Sequence, residues 1–386
     1  MERAMYDHSL RKQCMSLPEL CGLQIEGARR GLDEAFTMEE LGRYRRIIIT
    51  GCGDSYAAAQ AAIPAFRKFA GRFGSEFRYV RAIDAARYLV FDKAQAEETM
   101  VVAVSCSGSP ARIREVLCRA EKYGCMTLAV TNSPDSLAAA AARKSLLVHT
   151  PAFPDANPGL RNYYASLTGL YLLAAGLGEA TGCSSVGASE EMAAAIVENT
   201  KRWVDRLAHI DEQMFLLAKE WKDLQTFDFI GDGISYASAF FMGAKVVEAA
   251  GKMACTEDSA EWCQTGIRQR DPQRVGTVVV ADREENNQSL IGETVMRAAA
   301  CGRPVLLIAN GGREAFGIDA RTPIHICMVP EAPKGFPFLT AMMNYVPGAI
   351  LAGYIGAVNG EPLFRGGGVW AAPGNNTIRS SRIEVL

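Results

Sequence analysis

The sequence predicts an α/β protein made of two parallel, doubly wound sheets related by internal duplication. Three observations carry this. Short β-branched runs alternate with helical patterns along most of the chain, as expected of parallel strands joined by helical crossovers. The run Gly51-Cys52-Gly53-Asp54-Ser55-Tyr56 returns as Gly231-Asp232-Gly233-Ile234-Ser235-Tyr236, an offset of 231 − 51 = 180 residues. The helices behind the two runs both end in Ala-Gly, at 70–71 and 250–251, again 180 apart. Matching residues in matching context imply one supersecondary unit used twice.

A chain of 386 residues is long enough for two ordinary domains. Hydrophobic residues at 49% and charged residues at 22% describe a packed globular protein. The net charge of −2 disfavours nucleic acid or an anionic membrane as partner, whereas a phosphorylated metabolite needs only a local site. The N-terminal MERAMYDHSLRKQ lacks the apolar core of a signal peptide, and no stretch reaches the ~18 clean apolar residues of a membrane span. Residues 349–358 are apolar but short, and suit a buried helix. The eleven cysteines form no C-x-x-C and have no metal-type spacing to the four histidines. Cys118, Cys301 and Cys327 lie in apolar runs, so the thiols are expected to be reduced core residues of a cytoplasmic protein. No metal site and no cofactor is expected.

In chain order, residues 1–45 read as a charged helical arm. Strand 47–50 runs into the first Gly-x-Gly turn and an alanine-rich helix. A strand at 77–81 and a helix from 84 follow. Residues 101–104 form a strand with apolar residues on both faces. Ser105, Ser107, Gly108 and Ser109 then crowd one turn, and Pro110 opens a helix with Ser109 as its N-cap. Ile113, Val116, Leu117 and Ala120 give that helix its apolar face. Strands at 126–130 and 146–150 flank a helix capped by Ser136. A proline-rich loop (153–162), a long apolar helix to about 176, and a linker (178–189) lead to a second helical arm over 190–221. The second repeat then supplies strands at 227–230, 276–280, 305–308 and 324–329. The expected divisions are 1–45 (arm), 46–180 (first domain), 181–225 (linker and arm), 226–372 (second domain) and 373–386 (tail).

A helix N-terminus carries unpaired N–H groups and partial positive charge, and so attracts anions. Read alone, residues 105–110 are either a phosphate pocket or a plain serine-rich turn. Where the first repeat has VVAVSCSGSP, the second has VVVADREENNQS, whose acids would repel a phosphate. One working phosphate site per chain, in the first repeat, is therefore expected. Gly51-x-Gly53 lacks the third glycine of the dinucleotide fingerprint, since Tyr56 holds that place, and Tyr236 does so in the second repeat. There is no Walker sequence, so nucleotide hydrolysis is disfavoured.

The order strand, G-x-G-x-S-Y, helix, strand, S-x-S-G, helix, used twice with a worn second copy, resembles the tandem sugar isomerase (SIS) domains. It is most similar to the isomerase half of glutamine–fructose-6-phosphate aminotransferase and to fructosamine-6-phosphate deglycases. The resemblance implies phosphate contacts from Ser55, Ser105 and Ser107, with Gly53, Gly108 and neighbouring N–H groups completing the cradle. The family's last phosphate-binding threonine is Pro110 here, and Cys106 replaces its usual glutamine. Asp54 and Arg161, the latter at the end of the 154–161 loop, would line the substrate, with a plain surface role for Arg161 as the alternative.

The same resemblance makes Glu248, in AKVVEAAGK, the group that moves a proton between sugar carbons 1 and 2. The alternative is a surface glutamate paired with Lys245 or Lys252. Glu261 matches the glutamate of the family's G-E-x-x-H, but Gln264 stands at the histidine, and glutamine cannot shuttle a proton. Arg379 stands at the lysine of the family's C-terminal tail and cannot become a neutral amine. These changes point away from glucosamine-6-phosphate synthesis. What the resemblance leaves is an enzyme acting on a phosphorylated amino sugar or fructosamine, as a deglycase or deaminase rather than a plain aldose–ketose isomerase. The alternative is a non-catalytic sugar-phosphate binding or sensing protein. A homodimer or larger homo-oligomer with a shared site is implied as well.

Overall fold

The computed structural model describes residues 2–155, 157–362 and 383–386. The chain divides into two units, one gathering residues 19–152, 161–197 and 383–386, the other residues 2–18, 153–160 and 198–362. Both hold a five-stranded sheet, and all strand pairings are parallel.

The first-repeat unit draws on α1 (Ser9–Ala35), α2 (Met38–Leu41), β1 (Arg46–Gly51), α3 (Asp54–Ala70), β2 (Glu76–Arg81), α4 (Ala82–Arg87), β3 (Thr99–Val104), α5 (Ala111–Lys122), β4 (Met126–Thr131), α6 (Leu137–Ala141), β5 (Lys144–Leu147), α7 (Arg161–Ala180) and the start of α8 (Ala188–Trp221). Its strand order is β2-β1-β3-β4-β5. β3 is the central strand, and all six of its residues are buried. On one face Ile48 and Val101 pack against Ala85, Val116 and Ala120 of α4 and α5. Each fully buried valine or isoleucine there contributes roughly 1.5–3 kcal/mol. On the other face α3 and α7 pack together, the alanines of α3 allowing close approach.

The second-repeat unit contains β6 (Thr226–Gly231), α9 (Ser235–Ala250), β7 (Met253–Glu257), α10 (Ser259–Gln264), β8 (Val275–Ala281), α11 (Gln288–Ala300), β9 (Val305–Ala309), β10 (His325–Met328) and α12 (Val346–Val358). Its order, β10-β9-β8-β6-β7, is the first sheet's order read from the other edge. The duplication seen in the motifs is therefore a duplication of topology. Chain reversal falls between β1 and β3 in one sheet and between β6 and β8 in the other. Ligands of open α/β sheets bind in the crevice at such a point.

Several boundaries differ from expectation. β7 has no apolar run because it is an edge strand whose residues alternate between exposed and half-buried. β5 ends at Leu147, and α7 runs on to Ala180, shortening the linker. α5 begins at Ala111 after an extended Pro110 (ψ 130°), so Ser109 is not its N-cap. All eleven cysteines are free, but Cys14, Cys21, Cys125 and Cys327 are the buried ones, and Cys301 is exposed just past α11. Residues Pro337–Val358 are apolar over 22 residues, long enough to cross a membrane, and wholly buried inside the fold.

Candidate functional site

In the first repeat, the β1–α3 turn and the β3–α5 turn lie side by side, because β1 and β3 are neighbours in register. Gly51 allows the sharp exit from β1: a Cβ there would meet the Ser55 carbonyl carbon at 2.5 Å. Gly53 precedes the first residue of α3 with φ +55°, and a Cβ on it would meet nothing within 4 Å. The mouth of α3 thus faces open space. Asp54 and Ser55 are half-buried in the first turn of that 17-residue helix.

The facing turn is built from inside out. Ser105 is buried, and its Oγ accepts the Gly108 N–H at 3.1 Å. Gly108 has φ +60°, and a Cβ there would strike Ser136 Oγ at 2.1 Å, so only glycine fits. Its carbonyl accepts the Ala138 N–H, while the Cys106 carbonyl accepts the Asn132 N–H and the Thr131 hydroxyl. The turn is thereby pinned to the end of β4. Ser107 and Ser109 remain exposed, their hydroxyls 2.8 Å apart. A row of small hydroxyls beside an open helix mouth can bind an anion by N–H and O–H donation.

Four contributors escape the motif reading. Asn132 bonds to the Thr150 hydroxyl and to Asn162 at 3.2 Å, and Thr150 donates to Asn162 at 2.6 Å. This chain ties the β4 end to the start of α7. Burial pushes the Cys106 thiol up, opposed by a bond to Asn132 and reinforced by the Asp54 charge, so Asp54 and Cys106 are neighbours. Arg112 is the fourth. It pairs with the buried Glu115 at 2.9 Å and works against the burial that pushes the Cys52 thiol up. A cation in the first turn of a helix opposes the helix dipole, and that was the readable signal. Glu115 also pairs with Arg87 at 2.8 Å and accepts the Glu384 N–H at 2.8 Å. Arg161 opens α7 and is 8% exposed, so the surface alternative for it fails. Burial lowers its pKa, with Glu19 opposing. The adjoining loop residues 153–160 are fastened within the second-repeat unit, where Gln13 bonds to the Pro158 carbonyl and the Leu160 N–H.

Glu248, Glu261 and Gln264 lie in the second-repeat unit. Glu248 sits near the end of α9, with Oε2 2.7 Å from Nζ of the fully buried Lys245, the pairing that the sequence left open as the alternative. Thirteen residues of helix, about 20 Å, separate it from Ser235 at the mouth of α9. Glu261 and Gln264 are exposed on α10. That helix is anchored by Trp262, whose indole donates to Asp228 at 2.8 Å, while Arg303 pairs with the same carboxylate at 2.7 Å. Arg379 lies outside the described residues. Among the described residues, no cluster of three or more His, Cys, Asp or Glu side chains is placed to hold a metal ion.

Residues 40–176 match the SIS domain model. The glutamine–fructose-6-phosphate aminotransferase (isomerizing) of Thermococcus kodakarensis is 29% identical over 64% of this chain and 40% of its own length. The enzyme of the same name from Aquifex aeolicus is 23% identical over 92% of this chain and 55% of its own. The chain thus spans about half or less of these relatives. Among solved structures, the C-terminal domain of glucosamine-fructose-6-phosphate aminotransferase from Francisella tularensis superposes with TM-score 0.76 at 16% identity, covering 93% of this chain and 98% of that one. Glucosamine-6-phosphate deaminase from Thermotoga maritima gives 0.65 at 13% identity, covering 92% and 96%. At such identities the likeness speaks for the fold. With its family match, its two like sheets and these relatives, the chain belongs to the SIS-domain proteins, carrying two copies of the fold in tandem.

Proposed function

We propose that this protein takes a phosphorylated amino sugar or fructosamine, with the phosphate held by the first repeat between the α3 mouth and the 105–109 turn. The observation that carries the reading is the open space in front of Gly53, faced by serine hydroxyls and helix N–H groups at the sheet's reversal point. Ser55, Ser107 and the N–H groups beside Gly53 would donate to phosphate oxygens. Ser105, already accepting from Gly108, keeps the turn in shape and has its own proton left to give.

The reaction assigned to this substrate is proton transfer between C1 and C2. On a fructosamine 6-phosphate, Glu248 would take the C1 proton, leaving an enaminol with a C1=C2 double bond. Return of the proton to C2 gives the C1 imine, and water releases the amine and an aldose phosphate. A carboxylate suits the step. Glu261 would serve as the acid where the family has histidine. A homo-oligomer is part of this reading. The second reading, binding without turnover, is favoured by the Lys245–Glu248 ion pair and by Gln264. Incubation with glucosamine 6-phosphate and a set of fructosamine 6-phosphates, followed by assay of released amine, separates the two. Turnover lost in Glu248→Gln supports the enzyme; binding without turnover for every substrate supports the sensor.

A further inference from the structure

The second repeat contains a cradle of the same construction, and it is already full. Gly231 and Gly233 shape the exit from β6 as Gly51 and Gly53 do from β1, with φ +48° at Gly233 against +55° at Gly53. A Cβ on Gly53 would meet nothing within 4 Å, whereas one on Gly233 would meet Oε1 of Glu285 at 2.6 Å. The Glu285 carboxylate accepts the Ile234 N–H at 2.8 Å and the Ser235 hydroxyl at 3.1 Å. Ile234 and Ser235 are the counterparts of Asp54 and Ser55, 180 residues on.

Sheet register locates the source of that carboxylate. β1 pairs Arg46 with Thr99, and β6 pairs Thr226 with Val275. The third strands are therefore offset by 275 − 99 = 176 residues, and 285 − 176 = 109. Glu285 occupies the place of Ser109 in the serine turn. One turn presents hydroxyls to an empty helix mouth; its copy presents a carboxylate to an occupied one. We propose that Glu285 is a tethered ligand of an anion site at the mouth of α9, a site whose ligand class is a monocarboxylate and which is closed to external phosphate by its own side chain.

The surroundings fit a single negative charge and not two. Asp232 lies beside the site, committed to Ser259 and Asn287, and Asp282 is held by Asn310 and Thr340. Glu284 also lines this cavity of about 420 Å³. Burial, reinforced by Asp282 and Asp232 and opposed by the Ile234 N–H and Ser235 hydroxyl, pushes the Glu285 carboxyl up to about 7.

Chemical rescue tests this independently of what the first repeat binds. Thermal unfolding of wild type, Glu285→Ala, Glu285→Gln and Glu285→Ala/Ser235→Ala is followed in sodium formate and in sodium chloride of equal ionic strength. Formate is expected to raise the Tm of Glu285→Ala by about 3 °C or more over chloride. Wild type, the glutamine variant and the double variant are expected to show no such difference. If Glu285→Ala folds poorly, its refolding yield with and without formate is the reading, and a gain with formate supports the site. No rescue, or an equal effect in wild type or the double variant, overturns the proposal.

Discussion

Lys245 Nζ lies 2.7 Å from Glu248 Oε2, on a lysine with no exposed surface and a glutamate with 29% of its side chain exposed. The pair fixes the direction of the carboxylate on α9 and leaves part of it open to solvent. In Glu248→Gln, amine release from a fructosamine 6-phosphate should fall at least ~100-fold, the scale of a lost general base. Phosphate affinity by calorimetry should stay within about twofold. Leaving Lys245 buried without this counter-charge should also cost about 1–3 kcal/mol in denaturant unfolding. Unchanged turnover would remove Glu248 from the mechanism.

Gly53 and Gly108 should respond differently to the same substitution. Both have positive φ, at +55° and +60°. Gly53→Ala meets no protein atom within 4 Å, so its cost should be the left-handed backbone alone, about 1–2 kcal/mol, while the new methyl blocks the phosphate. Gly108→Ala adds a 2.1 Å clash with Ser136 and should destabilise by more, about 3 kcal/mol or above. Paired unfolding and sugar-phosphate titrations check the contrast.

Asp228 is the hub under α10, receiving Trp262, Gln269 and Arg303. Asp228→Ala strands the guanidinium of Arg303, which has no exposed side-chain surface, and should cost about 3–5 kcal/mol. Asp228→Asn retains two acceptor positions and should cost less. Hydrogen exchange over Ser259–Gln264 should rise in the alanine variant. Unaltered exchange would mean that this hub does not position Glu261 and Gln264.

The Glu285 carboxyl gives a pH signature. Its folded-state value, about 7, lies above the ordinary 4.5, so the native protein binds the proton more tightly than the unfolded chain does. This contribution is fully present below pH ~4.5 and is lost as pH rises through about 7, up to about 3 kcal/mol in all. Stability measured from pH 5 to 8 should fall less steeply in Glu285→Gln than in wild type. Equal slopes would show that Glu285 titrates normally.

The strands easiest to read, β3, β8 and β9, are buried on both faces, and such strands need continuous apolar runs. β7 was hidden because an edge strand with alternating exposure needs no such run. The Ser109 cap failed because Pro110 stays extended before the helix, and the Ser109 hydroxyl lies against Ser107 instead. The hydroxyl cradle was legible because glycine at positive φ and serine at a helix mouth are local chemistry. The acids of residues 282–285 were legible as charge, but their direction was not. Whether a glutamate repels an anion or takes its place depends on where the turn aims it, and only the fold supplies that.

The most direct measurement is calorimetric titration of fructose 6-phosphate and glucosamine 6-phosphate into wild type and Ser55→Ala/Ser107→Ala. Both serines lie at the cradle mouth, and neither replacement empties the core. The account predicts one equivalent bound per chain, with affinity falling about a hundredfold in the double variant as two hydroxyl bonds to a charged phosphate are lost. Unchanged affinity in the double variant would contradict it.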